Sequence, residues 1–203
     1  SFQVANSQQI AGLGVEEQTE VAYLLSQQGQ VDFYSVQDGS FGKKLKTLNA
    51  ELPSDATSFA TSAPFQGYYA FGLKDGTVMV VAPKFLVTFP NNERKLTPRL
   101  DFPLGEMALE VDEQGSAIKR FAFSHYEDRT AVVALTEDKR VLFSSFVAEE
   151  NMFTGEVEWV VERTELDVEG RVDELLMSPD TTRTFVRSAN QVYVYDTRDP
   201  SDV

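Results

Sequence analysis

The sequence predicts an all-β chain made of about four copies of one antiparallel unit, and three observations carry that prediction. Apolar runs rich in Val, Tyr and Phe alternate with polar turns along the whole length. The same run–turn–run phrase recurs four times. Helical periodicity is nearly absent, and only 105–113 reads as one helical turn.

The four phrases cover 21–36, 68–82, 131–146 and 183–197, with turns at 27–30, 74–77, 137–140 and 189–191. Each is a hairpin signal, since β-branched and aromatic runs are bounded by Gly, Asp or Asn. In each, the second run opens with a valine: Val31, Val78, Val141 and Val192. A further run precedes each of the last three hairpins, at 58–61, 118–124 and 173–178. A more polar run follows the first three, at 43–48, 85–89 and 157–162. The unit is therefore four antiparallel strands with an apolar pair in the middle and a charged strand last, which is a β-propeller blade. The valines are 47, 63 and 51 residues apart, near the roughly 40–50 of propeller repeats, with an insertion in the middle step. The expected organisation is a single domain, 1–203, with four-stranded blades at about 10–50, 56–104, 115–166 and 171–203.

Composition narrows the function. Hydrophobic residues make up 42% and aromatics 11% of the 203 residues, a globular balance. With 32 acidic and 18 basic residues the net charge is -14, which repels nucleic-acid phosphates and anionic lipid. The absence of cysteine removes disulfides, thiolate–zinc sites and cysteine nucleophiles together. No stretch approaches the roughly 20 apolar residues of a membrane span. The most apolar segment, 78–87, is broken by Pro83 and Lys84. The opening Ser1-Phe2-Gln3, without an initiator Met, reads as a segment of a longer or processed protein.

Met177-Ser178-Pro179-Asp180 occupies the place of the F-S-P-D-G turn between the first two strands of WD-type blades, and Tyr195-Asp196 stands where their Trp-Asp pair ends the third strand. Ser124-His125-Tyr126-Glu127-Asp128 is a looser version of the first turn. The chain thus resembles a divergent, WD-repeat-like β-propeller. It departs in having no Gly-His pair and one tryptophan, Trp159, on an expected outer strand, so the His–Asp network that staples many such blades is not expected. The order 70–78 (Ala-Phe-Gly-Leu-Lys-Asp-Gly-Thr-Val), 175–180 (Leu-Leu-Met-Ser-Pro-Asp) and 192–200 (Val-Tyr-Val-Tyr-Asp-Thr-Arg-Asp-Pro) is similar to the propeller inserted in the long form of the bacterial phosphate ABC transporter (Pst-type) permease. That resemblance implies a periplasmic domain of an inner-membrane protein, anchored by helices outside this chain. The implied partners are proteins: the phosphate-binding protein and the other transporter subunits. Because the pattern stops after the third strand of the fourth blade, an incomplete or open propeller is expected, with dimerisation as one way to close it.

No catalytic, metal or cofactor site emerges from the residues. The single His125 excludes histidine pairs, and neither a Gly-x-Ser-x-Gly elbow nor a glycine-rich phosphate loop is present. Two turns, 110–115 and 165–170, imitate a calcium loop, but position twelve is Phe121 in one and Leu176 in the other, where a bidentate Glu belongs. Both read better as blade-linking turns. Lys43, Lys44 and Lys46 read as charges protecting an outer edge. Arg94, Lys95 and Arg99, in an expected insertion loop with Pro90 and Pro98, are the candidate partner contacts. Phe65, Tyr68, Tyr69 and Phe71 read as packing between blades. The expected role is a non-catalytic accessory domain. The alternatives are a general scaffold propeller and, third, a propeller hydrolase.

Overall fold

A computed structural model describes residues 10–16, 20–26, 30–49, 55–62, 67–102, 104, 108–150, 152, 155 and 157–199. Four antiparallel sheets follow one another along the chain, each paired in sequence order, and none closes into a barrel. Blade 1 holds β1 (Ile10–Glu16), β2 (Val21–Ser26), β3 (Gln30–Ser35) and β4 (Lys44–Asn49). Blade 2 holds β5 (Ala56–Thr61), β6 (Tyr69–Leu73), β7 (Thr77–Thr88) and β8 (Lys95–Asp101), with the short β9 (Leu109–Glu110) paired to the start of β7. Blade 3 holds β10 (Ile118–Tyr126), β11 (Arg129–Thr136), β12 (Val141–Glu150) and β13 (Val157–Glu165). Blade 4 holds β14 (Val172–Met177), β15 (Arg183–Ser188) and β16 (Gln191–Asp196). The fold is an open array of propeller-type blades, and among the described residues no helix is long and apolar enough to cross a membrane.

The period-2 alternation of each strand supplies two apolar faces, and each inner sheet spends both on its neighbours. Tyr69, Phe71, Leu73 and Val81 of blade 2 pack on Tyr23, Leu25, Val31 and Phe33 of blade 1. The alternate residues Ala70, Val78 and Val80 pack on Phe121, Phe123, Val132 and Phe146 of blade 3. Ala131, Val133, Val141 and Phe143 then turn to Val172, Leu175 and Val186 of blade 4. Burying one such Phe or Val contributes about 1.5–3 kcal/mol, so the three inter-blade cores hold the array together.

In register, the strands place one side chain from each on a row across the sheet. Gly14–Tyr23–Phe33 faces blade 2, Ala60–Ala70–Val80 faces blade 3, and Ala122–Val133–Phe143 faces blade 4. Gly14 is required where it stands: a Cβ there would fall 2.6 Å from the Tyr23 ring, which itself meets Tyr69 edge-to-face at 5.4 Å.

Polar stitches follow the same seams. Thr57 and Ser58 hydroxyls each donate to the Ile118 carbonyl at 2.6 Å, joining blades 2 and 3. Ser124 donates to the Pro179 carbonyl at 2.8 Å and Arg129 to the Thr197 carbonyl at 2.6 Å, joining blades 3 and 4. The Ser178–Asp180 turn lies between β14 and β15, and Asp196 ends β16, as the repeat pattern expects.

Two elements differ from the sequence reading. Residues 85–89 are not a separate outer strand: 85–88 are the end of the 12-residue β7, and its outer partner is β8. The expected insertion loop is thus a strand from Lys95 onward. Pro98 disguises it, but Pro98 lies opposite Phe85 on a strand that has no ladder partner on its other side among the described residues, where a missing N–H is harmless. The helical turn expected at 105–113 is not formed over 108–113, where β9 and a turn stand; 105–107 lie outside the described residues, as does Phe65.

Candidate partner-docking site

The second half of β7 and all of β8 form a two-stranded ribbon running past the end of β6, whose Tyr69 pairs with Val81. Its inner face carries Phe85, Leu96 and Leu100, which pack into the blade 1–blade 2 core, with Phe85 edge-on to Phe33 at 5.5 Å. Its outer face follows from the register. Lys84 lies opposite Arg99, Leu86 opposite Thr97, and Thr88 opposite Lys95. Three cations and an exposed leucine therefore share one surface, with exposed Phe89 at the tip.

The sequence candidates divide on this frame. Lys95 and Arg99 belong to the outer face, where Arg99 touches its own-strand neighbour Asp101 at 3.2 Å. That contact is exposed and contributes little. Arg94 precedes β8 and reaches back to Glu20 of blade 1 at 3.7 Å, so it ties the ribbon tip to its neighbour. Lys84 was not singled out in the sequence, because only the β7–β8 register brings it opposite Arg99. Its ammonium also lies 6.0 Å from the Tyr68 ring centre. Tyr68 in turn meets His125 edge-on at 5.3 Å.

His125 is half-buried, and its Nδ1 lies 2.8 Å from the Thr130 hydroxyl. Burial pulls its pKa below the ordinary histidine value, against the opposing charge of Asp128. It is therefore neutral at pH 7 and acts as a packing and hydrogen-bonding group.

The first of the two calcium-like turns holds arginines, and the second holds hydroxyl groups. Asp112 is 3% exposed and accepts from Arg140 at 2.7 Å and from the Gln114 and Ser116 backbone N–H groups at 3.1 and 2.9 Å. Burial pushes its carboxyl up, but these donors outweigh burial and hold it below the usual carboxylate range. Glu110 is held by Arg163 at 3.0 Å. In the second turn, Tyr195 donates to the Asp167 carbonyl and Ser188 to the Glu169 carbonyl, both at 2.6 Å. Among the lysines of the first outer strand, Lys44 has a specific partner: it meets buried Asp32 at 2.8 Å, beside Thr47 and Gln30.

A shallow cleft of about 390 Å³ opens where the first strands of blades 2, 3 and 4 come together, lined by Phe59, Ala60, Thr61, Phe121, Ala122, Leu175 and Leu176. No ionisable side chain lines it, so it offers apolar contact and no acid–base chemistry. No protein-family model matches this chain, and no curated protein matches it.

Proposed function

We propose that this chain is a non-catalytic docking module that receives an acidic protein surface on the outer face of the β7–β8 ribbon. One observation carries the reading: Lys84, Lys95 and Arg99 converge around exposed Leu86 in a chain whose net charge is -14. Cations gathered against the prevailing field steer an oppositely charged partner, and an aliphatic centre within a charged rim is the usual anatomy of a protein contact. The narrower form of the proposal is the periplasmic accessory domain of a phosphate importer permease, with the phosphate-binding protein as its partner. It is supported by the resemblance at 70–78, 175–180 and 192–200.

Calorimetry with the purified phosphate-binding protein of the same organism tests both levels. The expected result is saturable binding that weakens as salt rises and falls at least tenfold in a Lys95→Glu, Arg99→Glu variant. Binding that ignores these charges would remove the ribbon as the site. No binding at low salt would remove the importer reading and leave the scaffold alternative.

A further inference from the structure

We infer that the cationic face of the β7–β8 ribbon is one wall of a groove, that Trp159 of blade 3 stands on the other wall, and that an acidic segment of the partner seats an apolar side chain between them. The inference rests on the reading of the ribbon as a docking site. In blade 2 the ribbon runs past the start of β6, where Tyr69 pairs with Val81. Blade 3 has a shorter counterpart at the same end, the end where the first strand of each blade joins the second. There β12 and β13 continue past the start of β11, where Arg129 pairs with Val147, and they pair Ala148 with Trp159 and Glu150 with Val157.

Alternation fixes which way each extension looks. Val80 of β7 and Phe146 of β12 are buried in one core, with Val161 of β13 packed against it. Two residues along β7 stands Ala82, and two further stands Lys84 opposite Arg99, so the cationic face looks toward blade 3. Two residues beyond Phe146 stands Ala148 opposite Trp159, so the indole looks toward blade 2. Tyr68 lies at the floor, with the Lys84 ammonium 6.0 Å from its ring centre and His125 of blade 3 edge-on to it at 5.3 Å. Above that floor Leu86 is 55% and Trp159 39% exposed.

The two walls differ in chemistry, and the difference selects the occupant. Lys84, Lys95 and Arg99 attract carboxylates, whereas blade 3 offers an indole beside a small alanine, with Glu150 at its lip turning acids away. A segment with its acids toward blade 2 and an aliphatic or aromatic side chain against Trp159 satisfies both. Tryptophan is also among the residue types that most often dominate a protein contact.

Trp159 is the sole tryptophan, so its emission reports on the groove directly. The probes are two short synthetic peptides, one with glutamates flanking a central Leu-Phe pair and one with Ser-Ser in place of that pair. The first is expected to shift Trp159 emission to the blue with saturation, and the second to bind about tenfold more weakly. By calorimetry, Trp159→Ala should weaken the first peptide about tenfold and Trp159→Phe should restore most of the affinity. Val160→Ser, at the adjacent position facing blade 4, should leave it unchanged. Far-UV circular dichroism confirms the fold of each variant. Binding that needs Lys95 and Arg99 but ignores Trp159→Ala, or that Val160→Ser weakens equally, overturns the groove and keeps the ribbon. Binding of neither peptide, or binding indifferent to Lys95→Glu and Arg99→Glu, overturns both.

Discussion

Asp112 is a buried charge that ties two parts of blade 3 together. It sits in the linker before β10, while Arg140 sits in the β11–β12 turn, so their contact clamps the entry of blade 3 to its own middle hairpin. We predict that Asp112→Asn lowers stability by about 2–3 kcal/mol at pH 7, read from denaturant midpoints, because Arg140 and the Gln114 and Ser116 amides lose a buried charged acceptor, although Asp138 still meets Arg140. The pH dependence has a definite sign. The folded carboxyl titrates below its unfolded value of about 3.9, so its stabilisation is complete above that value and is lost as pH falls through the folded one. The gap between parent and variant should therefore narrow below about pH 4 and stay constant from 5 to 8. A gap that widens in acid would contradict this assignment. Spacing displayed Asp112 as a calcium-like ligand, since the sequence shows Gly115 and the alternating acids but not the arginine 28 residues later.

The β7–β8 ribbon behaves as a clip. Phe85 fixes it to Phe33, and Arg94 adds a contact to Glu20. We predict that Phe85→Ala costs about 3 kcal/mol and speeds amide exchange in β8 more than in β6, because among the described residues β8 pairs with β7 alone. Equal acceleration in both strands would mean that the ribbon is not held by this residue. Hairpins such as β15–β16 were legible because Val, Tyr and Phe alternate around a polar turn. The element β1 was not: Gly12 and Gly14 dilute its β signal, and Gly14 is there for the close approach of Tyr23 and Tyr69. The docking cations Lys95 and Arg99 were visible as a cluster, whereas Lys84 became a neighbour only through a register that no composition reveals.

At the scale of the whole molecule, each inner blade belongs to two cores at once. Val132 and Val133 are adjacent on β11, yet one faces blade 2 and the other blade 4. Losing one interface therefore exposes a face of both its sheets, which couples neighbours in series. We predict that Val21→Ala, in the blade 1–blade 2 core, costs about 2 kcal/mol and lowers the unfolding midpoint reported by Trp159 of blade 3 as much as that of far-UV circular dichroism. A Trp159 transition left in place would show that the blades melt independently. Blade count and strand order were readable from the recurring valines, because a repeat prints its period on the sequence. The direction in which each face looks was not, since it depends on which parity of residues the next sheet covers.

The 12-residue β7 has a mechanical consequence. At about 3.3 Å per residue it is a rod about 40 Å long, embedded at one end between β6 and β9 and free at the other except for β8. A load applied at its outer tip is borne along the backbone ladders in shear, where several hydrogen bonds must fail together. Whatever grips the ribbon thus holds a lever rooted at Thr77 and Val78, next to the Gly76 carbonyl that receives the Val111 and Asp112 amides. A pull at the periphery is delivered to the seam between the second and third sheets.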